Sequence, residues 1–502
     1  MQIFAAEQIR AWDEYTIQHE PIASIDLMER AATACFDWLM ERGYKGKTFS
    51  VYCAKGNNGG DGLAIARLLS ETGHRVTVNI LEFGHLGTED FQTNLARLHE
   101  TEAEIRFISE ASAIAPPEPG DILIDALFGS GLSRPLDGLS AQLVEHMNAS
   151  GHDIISIDIP SGLFVDKSSR NNTVVRATHT LSFQCYKPAL LLAENATAFG
   201  EVHILDIGLH PGFLKTVQPT WQWIDASLVR SILKPRNRFT HKGNFGHAAL
   251  IAGSTGLMGA AVLSARACLR GGAGKLTCHV PASGYNIMQS AVPEAMCMVE
   301  KGEACIESVT SPEKYDAIGI GPGIGQYPSH VALMEQLFQQ ARCPIVIDAD
   351  GLNTLAANKN LLKQIPARTI LTPHPKEFER LFGKTTDDYQ RLSLAMETAA
   401  SYKLNIILKG HHTFIATAQG VGYFNSTGNA GMATGGSGDV LTGIVTALLA
   451  QGYSAQQAAI AGVYLHGLAG DLAASFVSQE AMIASDITDY LGNAYMQVTH
   501  GS

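Results

Sequence analysis

Short apolar runs alternate with amphipathic stretches along nearly the whole chain, and this pattern constrains the fold more strongly than any other feature. Strands separated by helical segments pair in parallel through right-handed crossovers, so the alternation predicts doubly wound α/β sheets. The first half is predicted to contain a helix at 63–71 and strands at 48–53, 75–81, 121–127, 154–159 and 201–206. The second half is predicted to contain strands at 248–252, 317–320, 345–347, 369–371 and 406–408, a hairpin within 413–424, and helices at 440–451 and 455–474.

The length of 502 residues exceeds what a single core ordinarily holds, which predicts two domains. Residues 208–212, followed by Gln218 and Pro219, are rich in turn-forming residues and are predicted to form the linker. Glycine makes up about a tenth of the chain, against the usual ~7%, as expected where many strands end in glycine-containing loops.

The composition excludes several classes of protein. Hydrophobic residues make up 46% and charged residues 17% of the chain, which indicates a folded globular protein. A net charge of −12 without clustered Lys and Arg argues against nucleic acid as the main partner. The eight cysteines lack a Cys-x-x-Cys pair and are interpreted as small buried residues in a reducing compartment. We find neither a secretion signal nor about 18 uninterrupted apolar residues, so a cytoplasmic location without membrane association is expected.

The segment 429–439 (Asn-Ala-Gly-Met-Ala-Thr-Gly-Gly-Ser-Gly-Asp) carries the strongest functional signal. Its glycines let the backbone turn several N–H groups toward one point, and the predicted helix that follows adds the positive end of its dipole. These features predict an anion site. Asp439 at the edge of this site would repel the anion, so we interpret it as a base that takes a proton from a hydroxyl attacking phosphorus.

Three further loops follow predicted strands of the second half, at the strand ends where open parallel sheets bind ligands. The loop at 321–325 (Gly-Pro-Gly-Ile-Gly) either admits a ligand close to its backbone or forms a simple turn. Prolines on both sides of His374 fix its backbone, which suits a ligand contact, the alternative being an ordinary surface or core histidine. Lys409 could contact a nucleotide phosphate. Because neighbouring side chains in extended chain point opposite ways, His411 and His412 are not expected to share a metal ion.

The first half carries polar residues at comparable positions. The predicted loop at 56–62 (Gly-Asn-Asn-Gly-Gly-Asp-Gly) lacks the Gly-Lys-[Ser/Thr] of a P-loop, and its oxygens suit a nucleotide together with a cation. Asp125 and Asp158 lie in apolar runs, where a carboxylate is costly unless it is paired or binds a metal, although either could be a cap or turn former. Asn58, Asp125 and Ser161 together present only oxygens, which suits a hard monovalent or divalent ion. Asp158 is then left as a general acid or base.

Residues 222–494 resemble the NAD(P)H-hydrate dehydratases, a family with the ribokinase-like fold. The resemblance rests on motifs in the family's order at 242–247, 321–323, 348–351, 372–374, 409–410 and 435–439. It implies that the nucleotide is bound by Lys409, Gly410, His411, His412, Thr413 and Gly438. It further implies that the hydrated nicotinamide site is lined by Ala260, Gly323, His374 and Asp439. Phosphorylation of the hydrate's C6 hydroxyl would create a better leaving group, and Mg²⁺ is implied as a counterion.

Residues 10–210 resemble the NAD(P)H-hydrate epimerases, with Ala54 where family members usually have Gly and with a matching Lys187-Pro188. The resemblance implies a catalytic Asp158 and K⁺ bound by Asn58, Asp125 and Ser161. It also implies that the hydrate is bound by Asn57, Asn58, Gly59, Gly60, Asp61, Gly129, Ser130, Gly131, Leu132, Ser133, Arg134, Pro135 and Asp158.

Together the two resemblances imply a Rossmann-like domain at 1–215 and a ribokinase-like domain at 222–494. Such an enzyme would interconvert the R and S epimers of NADHX and NADPHX and dehydrate the S form to NAD(P)H. Single-chain fusions resemble members that use ADP, which would give AMP and phosphate, although the motifs alone do not separate ADP from ATP. A homo-oligomer is expected, because these folds often pair through helices that flank the sheet.

Two alternatives remain open at the level of sequence. One is a ribokinase-fold kinase of a small vitamin precursor, which leaves the first half without a role. The other is a non-catalytic scaffold, because domains resembling the epimerase also occur in mRNA-decapping assemblies. Such a scaffold could lose Asp158 and the cation ligands, whereas this chain retains them.

Overall fold

The computed structural model describes residues 2–217, 219 and 221–501, which form two compact units. The N-terminal unit contains the described residues up to 219 together with 387–389, and the C-terminal unit contains 221–386 and 390–501. Gln218 of the predicted linker lies outside the described residues.

Eight strands and six α-helices lie among the described residues of the first half. The strands are β1 (Gln2–Ile3), β2 (Phe49–Cys53), β3 (Val76–Leu81), β4 (Glu104–Ile108), β5 (Ile122–Ala126), β6 (Ile154–Ile157), β7 (His179–Phe183) and β8 (Glu201–Leu205). The helices are α1 (Ala6–His19), α2 (Ser24–Glu41), α3 (Asn57–Glu71), α4 (Glu89–Leu98), α5 (Gly138–Ala149) and α6 (Ala196–Phe199).

A seven-stranded parallel sheet forms the centre of the N-terminal unit, in the order β4-β3-β2-β5-β6-β7-β8. All residues of β2, β3, β5 and β6 are buried, as expected for parallel strands covered on both faces. The strand order reverses between β2 and β5, and the crevice beyond the carboxyl ends of such strands is where open α/β sheets bind ligands. The predicted doubly wound, Rossmann-like sheet is confirmed.

The C-terminal unit is built from ten further strands and ten further helices among the described residues. The strands are β9 (Trp221–Ile224), β10 (His247–Ile251), β11 (Lys275–Val280), β12 (Met296–Val299), β13 (Ala317–Ile320), β14 (Ile345–Ile347), β15 (Ile370–Leu371), β16 (Asn405–Leu408), β17 (Phe414–Ala416) and β18 (Gly422–Asn425). The helices are α7 (Ala226–Ile232), α8 (Met258–Arg270), α9 (Tyr285–Ala291), α10 (His330–Gln340), α11 (Ala349–Ala357), α12 (Pro375–Phe382), α13 (Asp388–Tyr402), α14 (Ser437–Ala450), α15 (Ala455–Val477) and α16 (Ala484–His500).

The sheet of the C-terminal unit runs in the order β9-β18-β17-β16-β15-β14-β13-β10-β11-β12. Strand β17 is antiparallel to both of its neighbours, and the remaining pairs are parallel. The predicted hairpin is therefore β17 with β18. The predicted doubly wound sheet of the ribokinase-like class is confirmed, and it brings the carboxyl ends of β13, β14, β15 and β16 to one edge.

Two helices begin earlier than predicted, inside segments that were expected to be loops. Helix α3 begins at Asn57 and helix α14 at Ser437. A Cβ at Gly62 of α3 would lie 2.4 Å from the Cβ of Ala126, and one at Gly443 of α14 would lie 2.2 Å from the carbonyl oxygen of Ser264. These glycines therefore allow close packing of a helix against its neighbours, in addition to the turns for which they were predicted.

Helix α15 is the one described helix that is long and apolar enough to cross a membrane by length and composition. However, 67% of its most apolar window is buried inside the protein, where it packs with α14 and α16 in the core of the C-terminal unit. An apolar helix buried in this way is typical of a large protein core. All eight cysteines are free, and six of them are buried, as the interpretation of small buried residues predicted for most of them.

Candidate active sites

A cavity of about 1130 Å³ opens at the carboxyl ends of the strands of the N-terminal unit. Most of the residues predicted to bind the hydrate line it, namely Asn57, Asn58, Asp61, Gly129, Ser130, Gly131, Leu132, Ser133, Arg134, Pro135 and Asp158. The cavity is large enough for a nucleotide-sized ligand, since ligand sites typically enclose roughly 300–1,000 Å³. Asp13 of α1 also lines the cavity, and sequence reasoning gave it no role.

Gly59 and Gly60 of α3 are buried, and neither lines the cavity. A Cβ at Gly59 would lie 1.6 Å from the carbonyl oxygen of Ala54, and one at Gly60 would lie 2.7 Å from the Met28 sulfur. Both glycines thus let α3 pack tightly against the chain around it. Their contact with substrate stays a prediction.

Asp158 is paired with a buried lysine, which the sequence did not reveal. The Lys187 ammonium, fully buried, lies 2.8 Å from the Asp158 carboxylate and donates to the Ser182 hydroxyl and the Phe183 carbonyl. The second Asp158 oxygen accepts a hydrogen bond of 2.8 Å from the Ser130 N–H. Burial alone would raise the pKa of Asp158, but Lys187 and these hydrogen bonds lower it below its usual range. Asp158 is therefore an ionised carboxylate paired with Lys187, and its role as a general acid or base stays a prediction.

The backbone at Asp158 is also unusual, with a φ of 67°. A non-glycine residue in this left-handed region costs free energy, and such residues concentrate at functional sites. The conformation follows directly after β6, where Asp158 lines the cavity.

Of the three residues predicted to bind a cation, Asn58 lines this cavity, whereas Asp125 and Ser161 contact each other. Asp125 is fully buried and accepts hydrogen bonds from the Ser161 hydroxyl and N–H, the Ser156 hydroxyl and the Leu127 N–H. Burial raises the pKa of Asp125, although these hydrogen bonds oppose the shift. The side-chain oxygen and nitrogen of Asn58 are buried and have no hydrogen-bond partner. Buried polar atoms of this kind ordinarily have a partner, so Asn58 is ready to bind a ligand or an ion.

Two further carboxyl groups make this cavity strongly acidic. Burial raises the pKa of Asp13 to about 7, and the Asp158 carboxylate adds to the shift. Burial also raises the pKa of Asp61 strongly, with contributions from Asp158 and Asp13. Protonated carboxyl groups can donate hydrogen bonds, so the cavity holds one ionised acid beside two groups that can carry protons.

In the C-terminal unit, Asp348 connects three elements at the strand ends. It directly follows β14, and its carboxylate accepts hydrogen bonds of 2.9 Å from the Lys409 ammonium and 2.8 Å from the Thr442 hydroxyl. Burial would lower the pKa of Lys409, but Asp348 and Glu377 raise it, so the ammonium stays charged. Asp348 belongs to a motif noted in the sequence, yet only the structure reveals its contact with Lys409.

Asp439 lies in the first turn of α14 and is the last residue of the glycine-rich segment 429–439. Burial raises the pKa of Asp439 to about 7, Asp348 adds to the shift, and Lys409 opposes it. A Cβ built on the neighbouring Gly438 would lie 3.4 Å from the Lys409 ammonium. The structure therefore brings Gly438, Asp439 and Lys409 together, and their contacts with hydrate and nucleotide stay predictions. A carboxyl group whose pKa lies near neutrality suits a general base.

His374 and Gly323 lie on loops that follow β15 and β13. His374 caps helix α12, and its Nδ1 accepts hydrogen bonds from the N–H groups of Lys376 and Glu377. Gly323 has a φ of 61°, and a Cβ there would lie 3.0 Å from the Cβ of Ala260. Two of the residues predicted to line the hydrate site, Ala260 and Gly323, are thus neighbours.

His411 and His412 do not have the extended arrangement that the sequence analysis assumed. Their ring centroids are 4.0 Å apart, and the Nδ1 of the half-buried His412 lies 2.9 Å from the Asn425 carbonyl oxygen. The Thr413 hydroxyl donates to the Gly410 carbonyl and tightens this turn after β16. Their predicted contact with the nucleotide stays a prediction.

Comparison with known proteins identifies the family of each half. Residues 24–189 match the family model described as YjeF-related protein N-terminus, and residues 248–493 match the model described as NAD(P)H-hydrate dehydratase. Each of the two α/β units therefore corresponds to its own family model, and the second model is that of the NAD(P)H-hydrate dehydratases.

The full chain has relatives with the same organisation. It is 34% identical over 509 residues to the bifunctional NAD(P)H-hydrate repair enzyme Nnr of Moorella thermoacetica, covering 98% of this chain and 96% of the relative. The corresponding enzyme of Escherichia coli K12 is 33% identical over 489 residues, covering 97% and 92%. This chain belongs to the family of bifunctional NAD(P)H-hydrate repair enzymes. This membership does not favour the kinase alternative.

Solved structures also resemble the chain. One is an ADP/ATP-dependent NAD(P)H-hydrate dehydratase from Bacillus subtilis co-crystallised with ATP/Mg²⁺, which is 31% identical, with 55% of this chain and 98% of that chain covered and a TM-score of 0.47. Another is a ribokinase-like superfamily protein from Enterococcus faecalis, 27% identical, with 56% and 98% covered and a TM-score of 0.49.

Proposed function

We propose that the N-terminal unit interconverts the R and S epimers of NADHX and NADPHX, and that the C-terminal unit dehydrates the S form to NAD(P)H at the expense of ADP. The observation that carries this proposal is the pair of strand-end carboxylates with opposite properties. Asp158 is held ionised by Lys187, and the pKa of Asp439 is raised to about 7 beside Lys409. We assign the first function to residues 1–215 and the second to residues 222–494.

In the proposed dehydration, Asp439 takes the proton of the C6 hydroxyl and the freed oxygen attacks the terminal phosphorus of ADP, releasing AMP. Phosphate then leaves from C6, C5 loses a proton to water, and the nicotinamide double bond re-forms. Lys409 and the N–H groups around Gly438 would bind the phosphates, because they present positive charge and donors to an anion. His374, Gly323 and Ala260 would line the hydrate.

Mg²⁺ fits this site on electrostatic grounds. Asp348 and Asp350 both raise the pKa of Asp439, so three carboxylates are gathered where phosphate charge must also be accommodated. A divalent cation held by these oxygens and by the nucleotide phosphates would offset that charge. We infer ADP as the donor from the resemblance of the chain to single-chain fusions that use ADP.

In the proposed epimerisation, the ionised Asp158 takes the proton of the C6 hydroxyl, the C6–N1 bond breaks to leave an aldehyde at C6, and N1 takes up a proton. N1 then attacks the other face of the aldehyde, its proton returns to the C6 oxygen, and the configuration at C6 is inverted. Lys187 keeps Asp158 in the basic form, and the cavity residues from Gly129 to Pro135 would hold the coenzyme. K⁺ fits Asn58, Asp125 and Ser161, because the Asn58 side chain has buried unpaired polar atoms and all three residues offer oxygen. When bound there, K⁺ would offset the charge of the buried Asp125.

The test follows recovery of reduced nicotinamide absorbance from each purified epimer in the presence of ADP and Mg²⁺. The intact chain should convert both epimers. Asp158→Asn should convert only the S form, and Asp439→Asn should convert neither. The assignment of the two units is wrong if Asp158→Asn still consumes the R form at the rate of the intact chain, after correction for spontaneous epimerisation.

A further inference from the structure

Two histidines and a glutamate converge at the end of the N-terminal sheet that lies away from the cavity. His179 and Glu201 are the first residues of β7 and β8 and are directly paired in the parallel register. His203 lies two residues beyond Glu201 on the same strand. Because side chains alternate between the faces of a sheet, all three side chains lie on one face.

The distances between their ligand atoms match a metal coordination shell. The Nδ1 of His179 lies 3.2 Å from the Nε2 of His203, and these nitrogens lie 3.5 and 3.6 Å from the same Glu201 oxygen. A tetrahedral zinc site with bonds of about 2.1 Å has ligand atoms about 3.4 Å apart. Each observed distance therefore lies near the edge of such a tetrahedron. Among the residues that the structure describes, this is the one cluster of three or more His, Cys, Asp or Glu side chains that converges in this way.

The surroundings hold the two imidazoles in place and leave one side open. The Trp38 ring of α2 packs against both, with ring centroids 5.3 Å from His179 and 4.8 Å from His203. The side chains of His179 and His203 are 20% and 11% exposed, whereas that of Glu201 is 61% exposed. A fourth ligand can therefore reach the open side from solvent, as in three-ligand metal sites.

We propose that His179, Glu201 and His203 bind a transition-metal ion of the Zn²⁺ class. Imidazole nitrogens favour Zn²⁺ and its neighbours over the hard ions Mg²⁺, Ca²⁺ and K⁺, so the site is chemically separate from the oxygen sites proposed at the other strand ends. It lies at the amino ends of β7 and β8, whereas Asp158 follows the carboxyl end of β6. The bound ion joins the starts of two neighbouring strands and stabilises the fold without taking part in either reaction.

The experiment titrates the chelator-treated full chain with Zn²⁺ by calorimetry and with Co²⁺ by visible absorption, and records Tm at each Zn²⁺ concentration. We expect saturable binding, a tetrahedral Co²⁺ spectrum without thiolate bands, and a Tm that rises with Zn²⁺ by mass action. His179→Ala and His203→Ala should each weaken binding by more than the ~10–100-fold that loss of an outer-shell partner costs. Glu201→Gln, at an exposed position, tests the third ligand with little risk to folding.

His99→Ala is the matched control, because His99 is an exposed histidine of the same unit, and it should bind Zn²⁺ like the intact chain. The proposal is overturned if the intact chain shows no saturable Zn²⁺ binding. It is equally overturned if the His179, His203 and Glu201 variants all bind as tightly as His99→Ala. In either case, the two imidazoles would simply share a proton across the 3.2 Å that separates their nitrogens.

Discussion

Asp158 and Asp439 are both carboxyl groups, but their surroundings shift their pKa values in opposite directions. Both are largely buried, so the cost of leaving water acts on each in the same direction. Lys187, in direct contact, overcomes this cost for Asp158, whereas Lys409 is bound to Asp348 and only partly offsets it for Asp439. Environments that push two pKa values apart assign different proton-transfer roles to chemically equal groups.

The two reactions should therefore respond differently to pH. In the proposed mechanism dehydration needs ionised Asp439, so its kcat/KM should fall by roughly tenfold per pH unit as pH drops below about 7. Epimerisation should persist to lower pH, because the pKa of Asp158 is lowered from its usual 3.8. Initial rates with the S form, and chromatographic separation of the epimers for the R form, would give the two profiles. If both rates fell at the same acidic pH, this assignment would be contradicted. ADP binding measured at each pH controls for ionisation of the nucleotide.

Replacing Asp439 should trade activity for stability. Asp439→Asn should lower kcat of dehydration by roughly 10²–10⁴-fold. In the intact chain, the folded state binds the proton of the Asp439 carboxyl more tightly than the unfolded chain does. The stability that the protonated carboxyl contributes is therefore complete below pH 3.8 and is lost as pH rises through about 7. Above neutrality, removal of the buried charge should therefore raise the free energy of unfolding by ~1–3 kcal/mol. Urea unfolding at alkaline and acid pH measures this change in the free energy of unfolding. An equal change at both pH values would contradict the prediction.

Removing Lys187 should leave Asp158 buried without its partner. Lys187→Met should destabilise the N-terminal unit by about 3–5 kcal/mol and abolish epimerisation. The double variant Lys187→Met with Asp158→Asn should recover much of that loss while remaining inactive, because no uncompensated charge is left. Urea unfolding of Lys187→Met, Asp158→Asn and the double variant measures the coupling free energy between the two side chains. A double variant that is no more stable than Lys187→Met would show that the ion pair is not the source of the effect.

The sequence indicated which residues lie at strand ends but not which of them touch. Asp158, Asp439 and Lys409 were found because glycine-rich or apolar segments surround them. The partners Lys187 and Asp348 lie 29 and 61 residues away from Asp158 and Lys409, and only the fold brings them within hydrogen-bond distance. Asp13 carries no local motif, so its place in the cavity could be found only from the structure.

At the level of elements, the first turns of α3 depend on glycine. Gly59→Ala would place a Cβ 1.6 Å from the Ala54 carbonyl oxygen, which requires the backbone to move. We expect a destabilisation of ~1–3 kcal/mol or more, since overpacking forces backbone shifts. Gly492→Ala in α16 is the control, because its helical glycine has open space around it and alanine favours helix. Thermal unfolding compares the two, and equal Tm values would contradict the close approach.

Strands were predicted best where they are central and apolar. Strands β13 and β14 have their predicted bounds, and β2 and β5 differ from theirs by one or two residues. Strands β4 and β12 were missed because they lie at sheet edges and are half exposed, so their sequences lack a continuous apolar run. Strand β7 (His-Thr-Leu-Ser-Phe) was missed because it is polar, although its middle is buried. Burial in the tertiary structure, and not local strand propensity, decides whether such segments form strands.

At the scale of the whole molecule, each candidate site draws its residues from a single unit. The two activities should therefore be separable between chains. A mixture of full-length Asp158→Asn and Asp439→Asn should convert the R form, because the S form made by one chain can diffuse to the other. Product formation from R-NADHX, compared with each variant alone, measures this complementation. Failure of the mixture, with the intact chain active, would show that the intermediate does not leave the chain on which it forms.

The apolar helix α15 has a consequence for how the chain is made in the cell. Its burial depends on α14 and α16, so any delay in assembling these three helices leaves 23 mostly apolar residues exposed to water. A nascent or heat-damaged chain would then display a segment that chaperones and translocation machinery cannot distinguish from a true bilayer span by hydropathy alone. Quality control of this enzyme should therefore centre on α15, a helix that contains none of the candidate site residues.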